Sequence, residues 1–276
     1  MIPKLSIITP CYNSEATLEA TLESVLNQDF QDWELIIVND GSTDSTEEIA
    51  LKYVLKDNRF KYYFKENGGL GKARNYGITR AEGEFILPLD SDNQLSKSFI
   101  RNAIKVFKND LSIGVVYGYA EYFGEREGLW KVDDFNLHKM LVHNYIDACA
   151  VFKKELWKKA GGYDENMPYQ GHEDWEFWIA LSNVGAVFFN LHEITFKYYV
   201  SNKSMIRSFS DNMVFLNQDY IVKKHSKLFH SEYVNIISLI ETQKKEQLLK
   251  LKSKKFVIDA FCNTFFGFTL FKNFKK

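Results

Sequence analysis

Two short runs that are apolar at every position, Leu35-Ile36-Ile37-Val38 and Phe85-Ile86-Leu87, both break off into acidic residues. The first leads into Asn39-Asp40-Gly41-Ser42-Thr43-Asp44 and the second into Pro88-Leu89-Asp90-Ser91-Asp92-Asn93. A run with no polar face reads as a strand buried within a sheet. The acidic residues then lie where the strands emerge. In open α/β sheets, ligands collect in the crevice beyond the carboxyl ends of the strands. Carboxylates converging there suit a nucleotide together with a hard metal ion.

Around these two ends the first half of the chain alternates strand and helix signals, the pattern of βαβ units. Residues 5–9 read as a strand closed by Pro10. A helix follows, with Asn13 or Ser14 as its cap and Ala16, Ala20, Val25 and Leu26 among its apolar positions. Residues 33–38 form the second strand, and Ser42 or Ser45 caps a helix running to about Lys56. Residues 59–65 are a third strand and Asn67-Gly68-Gly69 a turn. Residues 70–79 form a helix, 85–89 a fourth strand, and 96–108 a helix capped by Ser96. Residues 114–123 alternate like a strand, with residues 124–128 as a hairpin loop. Later come a strand at 147–152, a short helix at 153–160 ended by Gly161-Gly162, and a helix at 174–182. That last helix carries Trp175, Trp178 and Ile179 on one face, at i, i+3 and i+4. Past about Ser208 the chain turns to long helical segments without glycine turns. The expected division is residues 1–207 as one α/β domain and 208–276 as a helical extension.

The formal net charge of −1 gives no global reason to expect nucleic acid as a partner. Cys11, Cys149 and Cys262 are odd in number and widely spaced, which suits reduced thiols in a cytosolic protein. The N-terminus has no signal-peptide architecture, and no apolar run reaches the ~20 residues a membrane span needs. Residues 244–276 hold nine lysines against Glu246 and Asp259. They also contain Phe256, Phe261, Phe265, Phe266, Phe268, Phe271 and Phe274. Such a tail suits an anionic membrane surface, packing on the rest of the chain, or a partner subunit.

Each acidic or glycine-rich segment has a chemical and a plain reading. Asp40, followed by Gly41, can accept the imide N–H of a pyrimidine base or simply cap the next helix. On an extended segment Asp90 and Asp92 project to one side, so both can face a cation. Ligands that are all oxygen suit Mg²⁺ or Mn²⁺. Asn67-Gly68-Gly69-Leu70-Gly71-Lys72-Ala73-Arg74-Asn75 opens a helix with two cations in its first turns, which suits a phosphate or a simple turn. Its spacing is not that of a P-loop. Gly171-His172-Glu173-Asp174-Trp175-Glu176 puts acids at a helix start, where the dipole favours ionised carboxylates. An ionised Asp174 at a cleft rim also serves as a general base toward a sugar hydroxyl.

Taken in order, these segments resemble the inverting family-2 glycosyltransferases with a GT-A fold. The resemblance spans residues 2–207. It rests on Ser6-Ile7-Ile8-Thr9-Pro10-Cys11-Tyr12-Asn13, residues 38–44, 67–75 and 89–93, and Gly161-Gly162-Tyr163-Asp164 leading into Glu173-Asp174. It implies a mostly parallel central sheet flanked by helices, with residues 1–110 forming a nucleotide-binding half and 111–207 an acceptor-binding half. Pro10 and Tyr12 then line the base pocket and Asp40 binds the base. Gly69, Arg74, Asp90 and Ser91 border the nucleotide, and Asp92 is the principal Mn²⁺ or Mg²⁺ ligand. Glu173, His172 and Trp175 contact the donor sugar or acceptor, and Asp174 is the catalytic base.

The implied reaction moves one sugar from a nucleotide-diphosphate sugar, UDP-sugar favoured, to a glycan or lipid-linked oligosaccharide. The setting is surface-polysaccharide synthesis at the cytoplasmic face of a membrane, with a homodimer as a candidate assembly. The chain departs from the family at Tyr199 and Ser201, where a Tyr-Arg-Val-His-like stretch commonly supplies an Arg and a His. Lys203 or Arg207 is the expected substitute over the diphosphate. The Gln-x-x-Arg-Trp motif of processive synthases is missing, which favours single-sugar transfer. Two alternatives stand beside this reading, a sugar nucleotidyltransferase and a non-catalytic sugar-nucleotide-binding subunit. The first puts its glycine-rich signature after the first strand, where this chain has Pro10-Cys11-Tyr12-Asn13.

Overall fold

The computed structural model describes residues 2–201, 209–268 and 270–271. Two compact units divide at His225 and Ser226. The first begins with β1 (Leu5–Cys11), α1 (Leu18–Leu26), β2 (Trp33–Asp40), α2 (Thr46–Lys56), β3 (Phe60–Lys65), α3 (Leu70–Arg80) and β4 (Phe85–Pro88). Then come β5 (Gln94–Leu95), α4 (Phe99–Asn109), β6 (Ile113–Gly124), β7 (Gly128–Trp130), α5 (Leu137–Val142) and β8 (Val151–Lys153). It ends with α6 (Lys154–Ala160), α7 (Glu173–Asn183), β9 (Val187–Val200) and α8 (Asp211–Lys224).

The sheet runs β3-β2-β1-β4-β8-β6-β9-β5, with β7 paired to β6. β3, β2, β1 and β4 are parallel. Beyond β4 the sheet is mixed: β8 is antiparallel to β4 and β6, whereas β6 and β9 are parallel. Every residue of β1 and β2 is buried, as expected for strands covered on both faces. Because β1, β2 and β4 point the same way, Cys11, Asp40 and the residues after Pro88 come to one sheet edge.

Local differences have local causes. Asn13 and Ser14 do not cap α1, whose N-cap is Thr17. Instead they stitch the β1 loop to the β2 loop: the backbone N–H of Ser14 donates to Thr46 Oγ1 at 2.8 Å, and that of Thr43 to Asn13 Oδ1 at 2.9 Å. Neither Ser45, the N-cap of α2, nor Ser98, that of α4, makes a side-chain cap bond; Asp44 bonds the Thr46 N–H instead. The strand expected from residue 147 begins only at Val151, because the Asp147 side chain takes the Cys149 N–H.

The unit runs past the expected division at residue 207 to include α8. Asn217, wholly buried on that helix, bonds both the N–H and the C=O of Tyr169 at 2.9 Å. Lys224 pairs with Asp164 and Glu176, and His225 Nε2 lies 2.6 Å from Glu176 Oε1.

The second unit contains α9 (Ser226–Lys252) and α10 (Lys254–Phe266). Asp259 on α10 accepts from the backbone N–H groups of Leu270 and Phe271. No helix among the described residues is long and apolar enough to cross a membrane.

Candidate active site

A cavity of about 580 Å³ opens at the strand ends. Its wall includes Pro10, Tyr12, Asp40, Gly69, Arg74, Asp90, Ser91, Asp92, Glu173 and Asp174, so ten residues expected at the site from scattered segments meet there.

Asp40 ends β2. Its carboxylate accepts from the N–H groups of Gly68 (3.0 Å) and Gly69 (2.8 Å) and pairs with Lys65. This bonding closes the glycine turn against the sheet and leaves Oδ2 one further acceptor position for a base. The turn needs its glycines. Gly41 and Gly69 have φ of 79° and 92°, and a Cβ on Gly69 would stand 2.1 Å from Gln170 Nε2. Gln170 Oε1 in turn accepts the Leu70 N–H at 3.0 Å.

Arg74, on the second turn of α3 and 2% exposed, joins the two halves of the site. It donates to Asp90 Oδ1 at 2.7 Å and to Glu173 Oε1 at 3.2 Å. Asp90 to Asn93 form a turn closed by the Asn93 N–H on the Asp90 carbonyl, and not the extended segment expected. Consequently the two carboxylates have different surroundings. Asp90 is paired with Arg74, whereas burial, followed by the charge of Asp90, pushes Asp92 up to about 7. Ser91 Oγ lies 2.7 Å from Ser14 Oγ, and Asn93 Oδ1 accepts the Tyr199 N–H at 3.0 Å, tying the turn to β9.

Asp174 stands in the first turn of α7. Its Oδ1 accepts the Trp175 N–H at 2.8 Å and its Oδ2 accepts from Asn144 Nδ2 at 2.9 Å. Burial, with Glu173 adding to it, pushes its carboxyl up to about 7. Burial therefore outweighs the helix N-terminus, which was expected to favour the charged form. The result is a carboxylate matched to proton transfer near neutral pH.

Two expected contacts are elsewhere. Trp175 is 4% exposed and donates its indole N–H to the Met140 carbonyl at 2.6 Å, toward α5 and away from the cavity. His172 packs edge-on against Trp175 and Phe209, and its Nδ1 accepts from Asn217 at 3.0 Å. Neither lines the cavity. Lys203 and Arg207 lie outside the described residues. Asn144, Asp147, Gln170 and Tyr198 were not anticipated: the first lies in an irregular stretch, and the others had no pattern to mark them.

The sequence profile described as "Glycosyl transferase family 2" matches residues 6–176, more than half of the chain. The chain belongs to glycosyltransferase family 2. It is similar to a glycosyltransferase from Rickettsia typhi, 33% identical over 207 residues, covering 71% of this chain and 63% of the relative. It is also similar to chondroitin synthase of Pasteurella multocida, 27% identical over 244 residues, covering 85% of this chain and 25% of the synthase. The chain thus spans less than two thirds of the length of these relatives. Among solved structures it is similar to S. aureus TarS in complex with UDP, with a TM-score of 0.61 and 27% identity. That match covers 72% of this chain and 61% of the TarS chain. The fold is GT-A: an α/β sheet flanked by helices, with a helical C-terminal region.

Proposed function

We propose that this glycosyltransferase moves one sugar from a UDP-sugar, with inversion at the anomeric carbon, to a hydroxyl of a glycan or lipid-linked acceptor in surface-polysaccharide synthesis. The observation that carries the reading is Asp174: a half-buried carboxyl pushed up to about 7, bonded at both oxygens, on the wall that also holds Asp90 and Asp92. The likeness to TarS in complex with UDP supports uridine, and the likeness to chondroitin synthase supports a polysaccharide product.

In this mechanism Asp174 takes the proton of the acceptor hydroxyl as the oxygen bonds to the anomeric carbon. The bond to the diphosphate breaks, and its electron pair leaves on the diphosphate oxygen. Arg74 holds Asp90 and Glu173 in place between base and nucleotide.

Mn²⁺ or Mg²⁺ fits Asp92, assisted by Asp90. The Asp92 carboxylate is half-buried beside another acid, and among the described residues no side chain donates to it. No cluster of three His, Cys, Asp or Glu gathers there among the described residues. That suits an ion held by one or two carboxylates plus substrate phosphates and water. Such an ion would neutralise charge on the departing diphosphate.

For localisation we propose the cytoplasmic face of an anionic membrane. Val257, Ile258, Phe261 and Phe265 form an exposed stripe along α10, which opens with Lys254 and Lys255. Apolar side chains with adjacent lysines complement an anionic lipid surface.

The test of the reaction is Asp174→Asn. The amide keeps the shape but cannot take the proton. UDP affinity should stay within about twofold while kcat falls by about 10²–10⁴. Near-normal turnover would refute the assignment.

A further inference from the structure

One carboxylate of the cavity wall takes part in none of these steps. Asp147 precedes β8, where Phe152 lies beside Ile86 and Lys153 beside Phe85 of β4. Continued toward the N-terminus, that antiparallel register brings Asp147 alongside the turn holding Asp90, Ser91 and Asp92. β6 pairs with β8 on one side and with β9 on the other, which brings Tyr198 to the same wall. Both residues line the cavity. Asp147 Oδ1 accepts the Cys149 N–H at 2.8 Å. Among the described residues, no side chain bonds its other oxygen or the Tyr198 hydroxyl.

Asp147 lines the same cavity as Asp90 and Asp92, where the diphosphate is expected, and as Asp174, the proposed base. An in-line displacement puts leaving group and attacking hydroxyl on opposite sides of the anomeric carbon. What occupies the space between them is the ring of the transferred sugar.

We propose that Asp147, together with the Tyr198 hydroxyl, hydrogen-bonds a hydroxyl of the transferred sugar and sets which UDP-sugar is accepted. This rests on the transferase reading above. With Oδ1 held by the Cys149 N–H, the other Asp147 oxygen accepts from a sugar hydroxyl, a role the oxygen of an amide can also fill, while the Tyr198 hydroxyl can donate or accept. A site built to bond a substrate hydroxyl rejects an analogue that leaves its polar groups unpaired.

The experiment measures Kd by calorimetry, with Mn²⁺, for UDP, UDP-glucose, UDP-galactose, UDP-N-acetylglucosamine and UDP-N-acetylgalactosamine. The proteins are the wild type, Asp147→Ala and Asp147→Asn. The wild type should prefer one sugar over its epimer by at least about tenfold. Asp147→Ala should reduce that preference below about threefold at unchanged UDP affinity, and Asp147→Asn should keep it. Undiminished preference in Asp147→Ala overturns the assignment, as does a parallel loss of UDP affinity or a wild type indifferent to the sugar. A wild type that binds no nucleotide at all refutes the transferase reading and this inference with it.

Discussion

Asn144 is the side chain through which the proposed base can be retuned without being touched. Its Nδ2 donates to Asp174 Oδ2 at 2.9 Å, and a donor of this kind stabilises the carboxylate over the acid. Hydrogen bonds to charged groups are worth about 1.5–3 kcal/mol. Because Asp174 opens onto the cavity, a discounted ~1.4 kcal/mol is appropriate, equal to about one pH unit. Asn144→Ala should therefore raise the Asp174 pKa from about 7 to ~8. A base works when ionised, so activity rises with pH through this value and the acid limb moves to higher pH. At pH ~6.5 the ionised fraction falls from about a quarter to about 3%, an eightfold loss, while at pH ~9 it barely changes. The assay is kcat against pH at saturating donor and acceptor. An acid limb that stays in place, or an equal loss at both pH values, would refute the reasoning.

Arg74→Met should destabilise the fold by about 3–5 kcal/mol, because Glu173, 3% exposed at its side chain, loses its buried counter-charge; urea unfolding measures this. Chelating divalent ions should abolish transfer and weaken UDP binding, and Mn²⁺ or Mg²⁺ should restore both; calorimetry with and without chelator reads this out. Phe261→Ser with Phe265→Ser should reduce flotation with anionic vesicles at least about fivefold without changing soluble turnover. Equal flotation by the double variant would remove the membrane proposal.

β2 and β4 could be read from the chain because each holds a continuous apolar run, and their acidic ends followed directly. The Asp-x-Asp segment was harder, since a four-residue turn and an extended strand end differ in backbone bonding that residue type does not specify. At α7 the apolar stripe of Trp175, Trp178 and Ile179 was the better guide: all three are buried, so Trp175 belongs to the core and not to the sugar. The ionisation of Asp174 depended on burial contributed by distant segments, which the helix start alone does not reveal. Asn144 and Gln170 meet the site only through tertiary packing, and β5, two residues long, offers too little pattern to find.

The family segment ends at Glu176, yet the groups that pair with this wholly buried side chain, Lys224 and His225, lie nearly fifty residues onward. An exchange of catalytic segments between relatives that joined them at the family limit would strand an anion in the interior next to the proposed base. The natural seam for a chimera is 225/226. Donor preference should transplant across that seam as a whole, because the helix carrying Asp174 travels with the Lys224 and His225 that hold it.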